Sequence, residues 1–259
     1  LAPYNKKIHV LNPKQVNKFK LSYNDLPKND YVDSFVIADC LRFGRINKEV
    51  YLDDYRYAAL KNLTRARFFA VQNLTREKQR FMNQLFKKYS TMAQEKVFSD
   101  TFSTTALAVY ESFESAETLA NMDLHQLTEF IMEKGKNRFP DPDSVAKTIQ
   151  KAARSSYRLP KTVNNSVNQV LSISISSMRA MESQIKAFDK AIAEQMALIP
   201  NTLTSVNGIG PVYSAGIIAE IGDINRFPTQ ASLAKYAGLV WSQHQSGDFE
   251  AQNTRQIHS

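Results

Sequence analysis

Two aspartates near the start of the chain have the type and spacing of a metal-binding pair. Asp30 and Asp33 are three residues apart at the beginning of a predicted helix, so both carboxylates project from nearby parts of one helix face. Paired carboxylates can hold Mg²⁺, which activates a nucleophile and stabilises the leaving oxygen in phosphoryl transfer. Spacing alone favours a structural role, with Asp30 as the N-cap and Asp33 complementing the helix dipole.

A serine near the other end of the chain is a candidate nucleophile. Ser246 precedes Gly247 in a polar stretch after the last predicted helix, and His244 stands two residues earlier. A serine nucleophile needs an exposed hydroxyl and a group that takes its proton. Ser242 is the rival candidate. A Ser-Gly pair in a loop is more commonly a simple turn, and the closeness of His244 in sequence does not establish a catalytic geometry.

A glycine hairpin, Gly208-Ile209-Gly210, joins two predicted helical segments and is followed by Pro211. Glycines let a backbone approach a phosphate closely, and the next helix offers free N–H groups and a positive dipole end. This arrangement is typical of helix-hairpin-helix units that bind nucleic-acid backbones. The alternative is a tight turn in which the glycines only supply unusual dihedral angles.

The composition describes a folded, basic protein. The 259 residues are 43% hydrophobic and 22% charged, and the net charge is +8. Such a charge attracts phosphate backbones, although it is also compatible with a basic protein that binds no nucleic acid.

Several kinds of site are excluded by residue type and spacing. The single cysteine, Cys40, excludes an intrachain disulfide and cysteine-cluster metal sites; it fits a reducing cytosol and is predicted to pack in the core. The four histidines lack metal-ligand spacing, and no Walker loop or dinucleotide fingerprint is present. No apolar run reaches the length of about 18 residues that a transmembrane helix needs.

The elements that position the aspartates predict a partial α/β unit. The apolar run 8–11 predicts a buried strand, and Pro13 begins a helix that reaches about residue 23. A second helix starts near Asp30 and ends before Gly44. We expect both ends of the chain to be cut within longer elements.

Two long helices, over about 54–90 and 161–198, dominate the predicted middle of the chain. The second has an apolar seam with steps of three and four, which is typical of a coiled coil. The pattern predicts an antiparallel hairpin or a dimeric coiled coil, and a plain helical bundle is the simpler alternative. The seam residues are Val167, Leu171, Ser174, Met178, Met181, Ile185, Phe188 and Ile192.

The C-terminal region predicts a small helical domain that contains the glycine hairpin. Helices are expected from Pro211 to a stop at Gly222, and from a Thr229 cap to about Ala237, with a loop over 239–259. The predicted fold is therefore mainly α, with a partial α/β piece at 1–52, a helical or coiled-coil insert at 53–199 and a C-terminal helix-hairpin-helix domain at 200–259.

The motifs at the two ends resemble one family. The N-terminal piece is similar to the end of the RuvC-like (RNase H-like) DEDD domain of insertion-sequence transposases of the one-ten family, and the C-terminal stretch is similar to that family's second domain. The order of the regions and the helical insert between them also match. The motifs are Asn12-Pro13-Lys14-Gln15-Val16, Lys28-Asn29-Asp30-Tyr31-Val32-Asp33, Gly208-Ile209-Gly210-Pro211, Ala219-Glu220-Ile221-Gly222-Asp223-Ile224, Arg226-Phe227, Leu233-Ala234-Lys235-Tyr236-Ala237-Gly238-Leu239 and Ser246-Gly247.

The resemblance implies a DNA transposase with a composite active site. The family's first domain holds Mg²⁺ with four acids in the order Asp, Glu, Asp, Asp, and Asp30 and Asp33 match the last two. The second domain supplies a serine that attacks a DNA phosphate, and Ser246 matches it. The resemblance also implies donor and target DNA, a structured guide RNA, a homo-oligomer through the 161–198 helix, and a nucleoid-associated prokaryotic cytoplasmic setting with no membrane.

The sequence departs from the family pattern at several positions. Ser34 follows the second Asp where alanine is common, and Trp241 replaces a usual proline. The first Asp and the Glu of the acid set would precede Leu1, so we expect this fragment alone to be inactive. Two alternatives stay open: a non-catalytic nucleic-acid-binding remnant or scaffold, and a Holliday-junction nuclease that would leave Ser246 unexplained.

Overall fold

The computed structural model describes residues 8–44, 54–95 and 97–239, together with the backbone of two short strands at 245–246 and 249–250. The chain forms two compact units, Leu1–Asp54 and Tyr55–Ser259. Most of the described residues are helical, as the sequence predicted.

The first unit is a pair of helices, α1 (Pro13–Lys20) and α2 (Asp30–Arg42). Pro13 occupies the first turn of α1, as expected, and the Asn12 side chain caps the helix by accepting from the backbone N–H of Lys14 at 2.8 Å. Val36 and Cys40 of α2 are buried between the helices, which confirms a packing role for the cysteine.

Residues 8–12 do not form the buried strand that their apolar character predicted. They have no regular structure, and the Val10 side chain is 74% exposed. A strand is stabilised by backbone hydrogen bonds to a neighbouring strand, and the described part of this unit contains no strand that could supply them. The described N-terminal unit is therefore helical.

The second unit is built on two long antiparallel helices, α3 (Tyr55–Lys88) and α9 (Lys161–Met196). Their direction follows from their contacts, since Arg67 pairs with Asp189 whereas Lys78, further along α3, pairs with the earlier residue Glu182. The part of the predicted seam from Val167 to Met178 is buried inside the chain. The two long helices thus pair antiparallel within one chain, whereas a coiled-coil geometry stays a prediction.

Five shorter helices cover the end of this pair where α3 finishes and α9 begins. Four of them are capped by short polar side chains, namely Ser103, Ser115, Asp123 and Asp141, whereas the first begins after Tyr89 without a side-chain cap. Together with α3 and α9 they enclose the main core, which includes Phe81, Tyr110, Leu119, Ile131 and Ile149. The helices are α4 (Ser90–Gln94), α5 (Thr104–Ser112), α6 (Ala116–Asn121), α7 (Leu124–Gly135) and α8 (Pro142–Ser155).

The C-terminal elements pack on the other end of the long helices. A 3-10 turn (Leu203–Ser205) leads to α10 (Pro211–Ile221), and a second turn (Ile224–Arg226) leads to α11 (Gln230–Tyr236). Leu60, Ile192, Ile199, Ala215 and Ala219 form a small second core that seats α10 on α3 and α9. Residues 200–239 thus belong to the same compact unit as the long helices.

The predicted boundaries in this region are confirmed, with one correction. Pro211 begins α10, Gly222 ends it at φ +65°, and Thr229 caps α11 through a reciprocal capping box with Ser232. The stretch after residue 239, predicted as a loop, contains the antiparallel strands β1 (Gln245–Ser246) and β2 (Phe249–Glu250). Within the described ranges, no helix is both long and apolar enough to cross a membrane.

Candidate functional site

The aspartate pair lies on the first turn of α2. Asn29, rather than Asp30, is the N-cap, and its side chain accepts from the backbone N–H of Val32 at 2.8 Å. This corrects the capping role predicted for Asp30, which is the first helical residue and is exposed. Asp33 is half-exposed and accepts from Lys20 Nζ of α1 at 2.6 Å. Because Asn29 already caps the helix, the Asp30 carboxylate is left available for another role.

The oxygen donors of this pair suit a hard cation, provided that further ligands complete the site. Asp30 and Asp33 offer only oxygen atoms, which are the ligands that Mg²⁺ prefers. No group of three or more His, Cys, Asp or Glu side chains with metal-binding geometry occurs in the part of the chain that the structure describes. Two carboxylates, one of them paired with Lys20, therefore offer only part of the ligand set that such a cation needs.

A third aspartate of α2, Asp39, was not singled out from the sequence. Its side chain is buried, accepts from Arg42 Nε at 2.7 Å and accepts a hydrogen bond from the Tyr23 hydroxyl. That hydrogen bond raises the pKa of Tyr23 above its usual value, because it stabilises the protonated phenol. Asp39 therefore ties the turn after α1 to α2. The i,i+3 spacing of Asp39 and Arg42 was the available signal, but burial could not be read from it.

The glycine hairpin is exposed at the start of α10. Gly208 has φ +88°, a conformation that L side chains rarely adopt, whereas Gly210 has φ −73° and forms the N-cap of α10. A Cβ atom added at either glycine would meet no atom within 4 Å. Ile209 is partly buried between them. The backbone of the hairpin is thus accessible to a ligand, although the element before it is a three-residue 3-10 turn instead of a full helix.

An ion-pair cluster holds α10 on α3. Glu220 of α10 accepts from Arg65 Nε at 2.8 Å and from Arg65 Nη2 at 3.0 Å, and Lys61 Nζ lies 3.5 Å away. The Arg65 hydrogen bonds lower the pKa of Glu220, and Lys61 adds to the effect. The Tyr236 hydroxyl donates to the Glu220 carbonyl oxygen at 3.0 Å, which joins α11 to the same point. This cluster joins the C-terminal end of α10 to α3 and α11.

The candidate serine falls on the short β-ladder. Ser246 of β1 is paired with Phe249 of β2, while Ser242, His244 and Gly247 lie outside the described residues. Ser246 belongs to the second unit, and Asp30 and Asp33 belong to the first. Each unit therefore carries only part of the predicted residue set.

Sequence comparisons give matches at both ends of the chain. The profile of the DEDD transposase domain of IS110 matches residues 1–89, and that of the transposase IS116/IS110/IS902 family matches residues 201–259. The chain belongs to the IS110 family of transposases. The two matches fall on the regions that carry the aspartate pair and the glycine hairpin with Ser246, in the order that the motifs predicted.

Curated relatives of this IS110-family chain include two insertion-element proteins from Streptomyces. The IS116 uncharacterized 44.8 kDa protein of Streptomyces clavuligerus is 25% identical over 90% of this chain and 57% of its own length. The IS110 uncharacterized 43.6 kDa protein of Streptomyces coelicolor is 42% identical over 69 residues, which are 27% of this chain and 16% of the relative. The chain spans little more than half of the first relative. No solved structure matches the chain significantly.

Proposed function

We propose that this chain is part of a DNA transposase that cuts and rejoins the DNA of an insertion sequence. The observation that carries the proposal is the pair of family matches at residues 1–89 and 201–259, which bracket the helical insert in the family's order. The proposal divides the chain into a RuvC-like piece at 1–52, a helical insert at 53–199 and a C-terminal transposase domain at 200–259; the first match runs past the first of these boundaries into α3. The basic net charge of +8 suits a nucleic-acid substrate.

In this proposal the first unit supplies metal-binding carboxylates. Asp30 and Asp33 would hold Mg²⁺ together with two acids from outside this chain. The bound ion would polarise the reacting phosphate and stabilise charge on the leaving oxygen. Lys20 Nζ of α1 pairs with the Asp33 carboxylate at 2.6 Å. When a cation binds, Lys20 would leave this carboxylate or share it with the cation.

The second unit supplies the nucleophile and a DNA-binding hairpin. The Ser246 oxygen would bond to a DNA phosphorus as one bridging oxygen of the phosphodiester leaves and takes a proton, while the serine proton passes to a base. A hydroxyl of the second DNA end would then attack the same phosphorus and release the serine, so the number of phosphodiester bonds is conserved. The hairpin of Gly208, Ile209 and Gly210 would hold the DNA backbone through the main-chain N–H groups of the two glycines, since the Ile209 N–H donates to the Val206 carbonyl oxygen at 3.0 Å.

The proposal also includes a guide RNA and self-assembly, which the family resemblance implies. A structured guide RNA would select donor and target DNA, and the basic surface would meet RNA as well as DNA. The catalytic aspartates and Ser246 lie in different units, which supports an active site assembled from several regions or copies. A homo-oligomer would form through the 161–198 helix.

The test is DNA joining by the full-length protein encoded by the surrounding open reading frame. With its flanking non-coding RNA and Mg²⁺, the wild type should join donor to target DNA, and Ser246→Ala or Asp33→Asn should lower joining by 100-fold or more. Ser205→Ala, which alters an exposed serine of the same unit, is the control and should keep wild-type joining. Persistent joining by Ser246→Ala would move the nucleophile to Ser242.

A non-catalytic nucleic-acid-binding protein is the second candidate, because the hairpin backbone is exposed and open whether or not chemistry follows. It predicts DNA binding without joining by the intact wild type. The same experiment separates the two functions, since binding and joining are measured on one preparation.

A further inference from the structure

The charges of the helical insert are segregated along the chain. Residues 134–161 contain eight basic and two acidic residues, whereas residues 91–133 contain eight acidic residues and one basic residue. Residues 134–161 thus hold a net charge of +6, compared with +8 for the whole chain. The basic window includes α8, which lies outside both segments that match the transposase profiles.

Three of these basic residues lie on one exposed face of α8. Lys147, Lys151 and Arg154 follow one another at steps of four and three along α8 and are exposed, so their side chains share one side of the helix. The opposite side, including Ile149 and Ala153, is fully buried in the main core. We call Lys147, Lys151, Arg154 and the following Arg158 the basic face.

The positive charges of the basic face are not neutralised by the described residues. Lys147 and Lys151 take part in none of the ion pairs found among them. Arg154 donates to the Ala120 carbonyl and the Gln150 amide oxygen, and Arg158 donates to the carbonyls of Ala153 and Ser156. These acceptors are uncharged, so they orient the guanidinium groups without cancelling their charge.

The remaining exposed positions of α8 are polar. Ser144 and Ser155 lie beside the basic residues and can donate hydrogen bonds, whereas the Thr148 hydroxyl donates to the Ser144 carbonyl oxygen at 2.8 Å. Asp143 in the first turn accepts from Thr128 of α7 at 2.9 Å. No aromatic residue occurs in α8 itself, and the exposed ring of Tyr157, beside Arg158, packs edge-on against Phe86. The charged and hydroxyl side chains of α8 suit a phosphate backbone.

We propose that the basic face binds the phosphate backbone of duplex DNA without reading its sequence. At a rise of about 1.5 Å per residue, Lys147 and Arg154 are about 10 Å apart along the helix, which spans several successive phosphates at about 3.4 Å of axial rise per nucleotide in one strand. The insert would thereby hold DNA through residues other than the aspartates, the hairpin and Ser246. The choice of DNA as the partner rests on the proposed function.

The test is the salt dependence of DNA binding by the 259-residue chain. Lys147→Gln/Lys151→Gln is compared with Lys186→Gln/Lys190→Gln, an equally spaced and equally exposed pair on α9. With a fluorescent duplex DNA of mixed sequence, the α8 variant should lower the slope of log affinity against log salt by about 1.8, at about 0.9 per lost phosphate contact. It should also bind about tenfold or more weakly at 0.1 M salt, while the α9 variant keeps the wild-type slope.

Two results would overturn the proposal: equal slopes for the α8 variant and the wild type, or stronger α8-dependent binding to duplex RNA of the same sequence. Circular dichroism of both variants verifies that the helices are intact. The proposed function fails separately, since DNA joining by the full-length protein is an independent readout. If the α8 variant changes the slope but the full-length wild type joins no DNA, the basic face is supported and the transposase proposal is contradicted.

Discussion

Lys88 is a buried cation inside the main core. Only 2% of the residue is exposed, its Nζ donates to the Tyr110 carbonyl oxygen at 2.8 Å, and it lies 5.0 Å from the centre of the Tyr89 ring. Burial lowers the pKa of Lys88 from 10.5 to about 8, and Glu114 opposes this only in part. The sequence did not reveal this residue, because a lysine in the last turn of a helix normally points to solvent and favours the helix dipole.

Replacing Lys88 with methionine should change how stability depends on pH. Below pH 8 both states of the wild type are protonated, so the native state bears the full cost of the buried charge. Between about pH 8 and 10.5 the native state loses the proton first, and stability rises with pH. From pH 7 to 9.5 the wild type should gain about 2 kcal/mol of unfolding free energy relative to Lys88→Met, as measured by urea denaturation.

The neighbouring exposed lysine provides the matched control for this experiment. Lys87→Met removes the same side chain one residue earlier and should follow the wild-type pH dependence. The measurement must stay below about pH 10, because burial raises the pKa of Tyr89 and Tyr110 and their ionisation in the unfolded state then lowers stability. If the unfolding free energies of the wild type and Lys88→Met depend on pH in the same way, Lys88 does not lose its proton in the native state as proposed.

At the scale of elements, the sequence predicted helix boundaries best where nearby residues set the start of the helix. Pro13, Pro211 and the Thr229 cap act within one turn, so their effects can be read without tertiary structure. The predicted strand at 8–11 failed because a strand depends on a partner elsewhere in the chain. The shorter helices between the long ones were predicted only in outline, because their packing is set by contacts distant in sequence.

The two glycines of the hairpin should respond differently to alanine. Gly208→Ala should cost about 1–2 kcal/mol of stability, because its φ of +88° is unfavourable for an L side chain. Gly210→Ala should change stability by less than about 0.5 kcal/mol, since its φ is ordinary and the added Cβ meets open space. Urea denaturation measures both changes.

Duplex DNA binding by the same two variants separates a phosphate-binding hairpin from a simple turn. If the backbone at residue 210 contacts a phosphate, the methyl of Gly210→Ala obstructs it. Binding should then weaken by roughly fivefold, which corresponds to one lost hydrogen bond of about 1 kcal/mol. Wild-type affinity in a fully stable Gly210→Ala variant would show that Gly210 serves only the turn.

At the scale of the whole molecule, the pairing of α3 with α9 decides which surfaces remain for assembly. Heptad spacing alone fits pairing within one chain and between two chains, so the choice could not be made from the sequence. In the structure, Leu171, Met178 and Ile192 of the seam are buried within the chain. Whether Asp33 and Ser246 meet in one site could not be predicted from spacing either, because they lie far apart in sequence and in different units.

An oligomer formed through the 161–198 helix must therefore use side chains outside the buried part of the seam. Ile173 is 60% exposed, and Val163 and Val170 are also exposed apolar residues of α9. Burying Ile173 against a second copy should contribute about 1.5–3 kcal/mol per side chain. Ile173→Glu should consequently weaken self-association at least tenfold in sedimentation equilibrium. Ser183→Glu adds the same charge at another exposed position of α9 and should leave the association constant unchanged. Assembly through this helix would be contradicted by a wild type that stays monomeric, or by equal effects of the two variants.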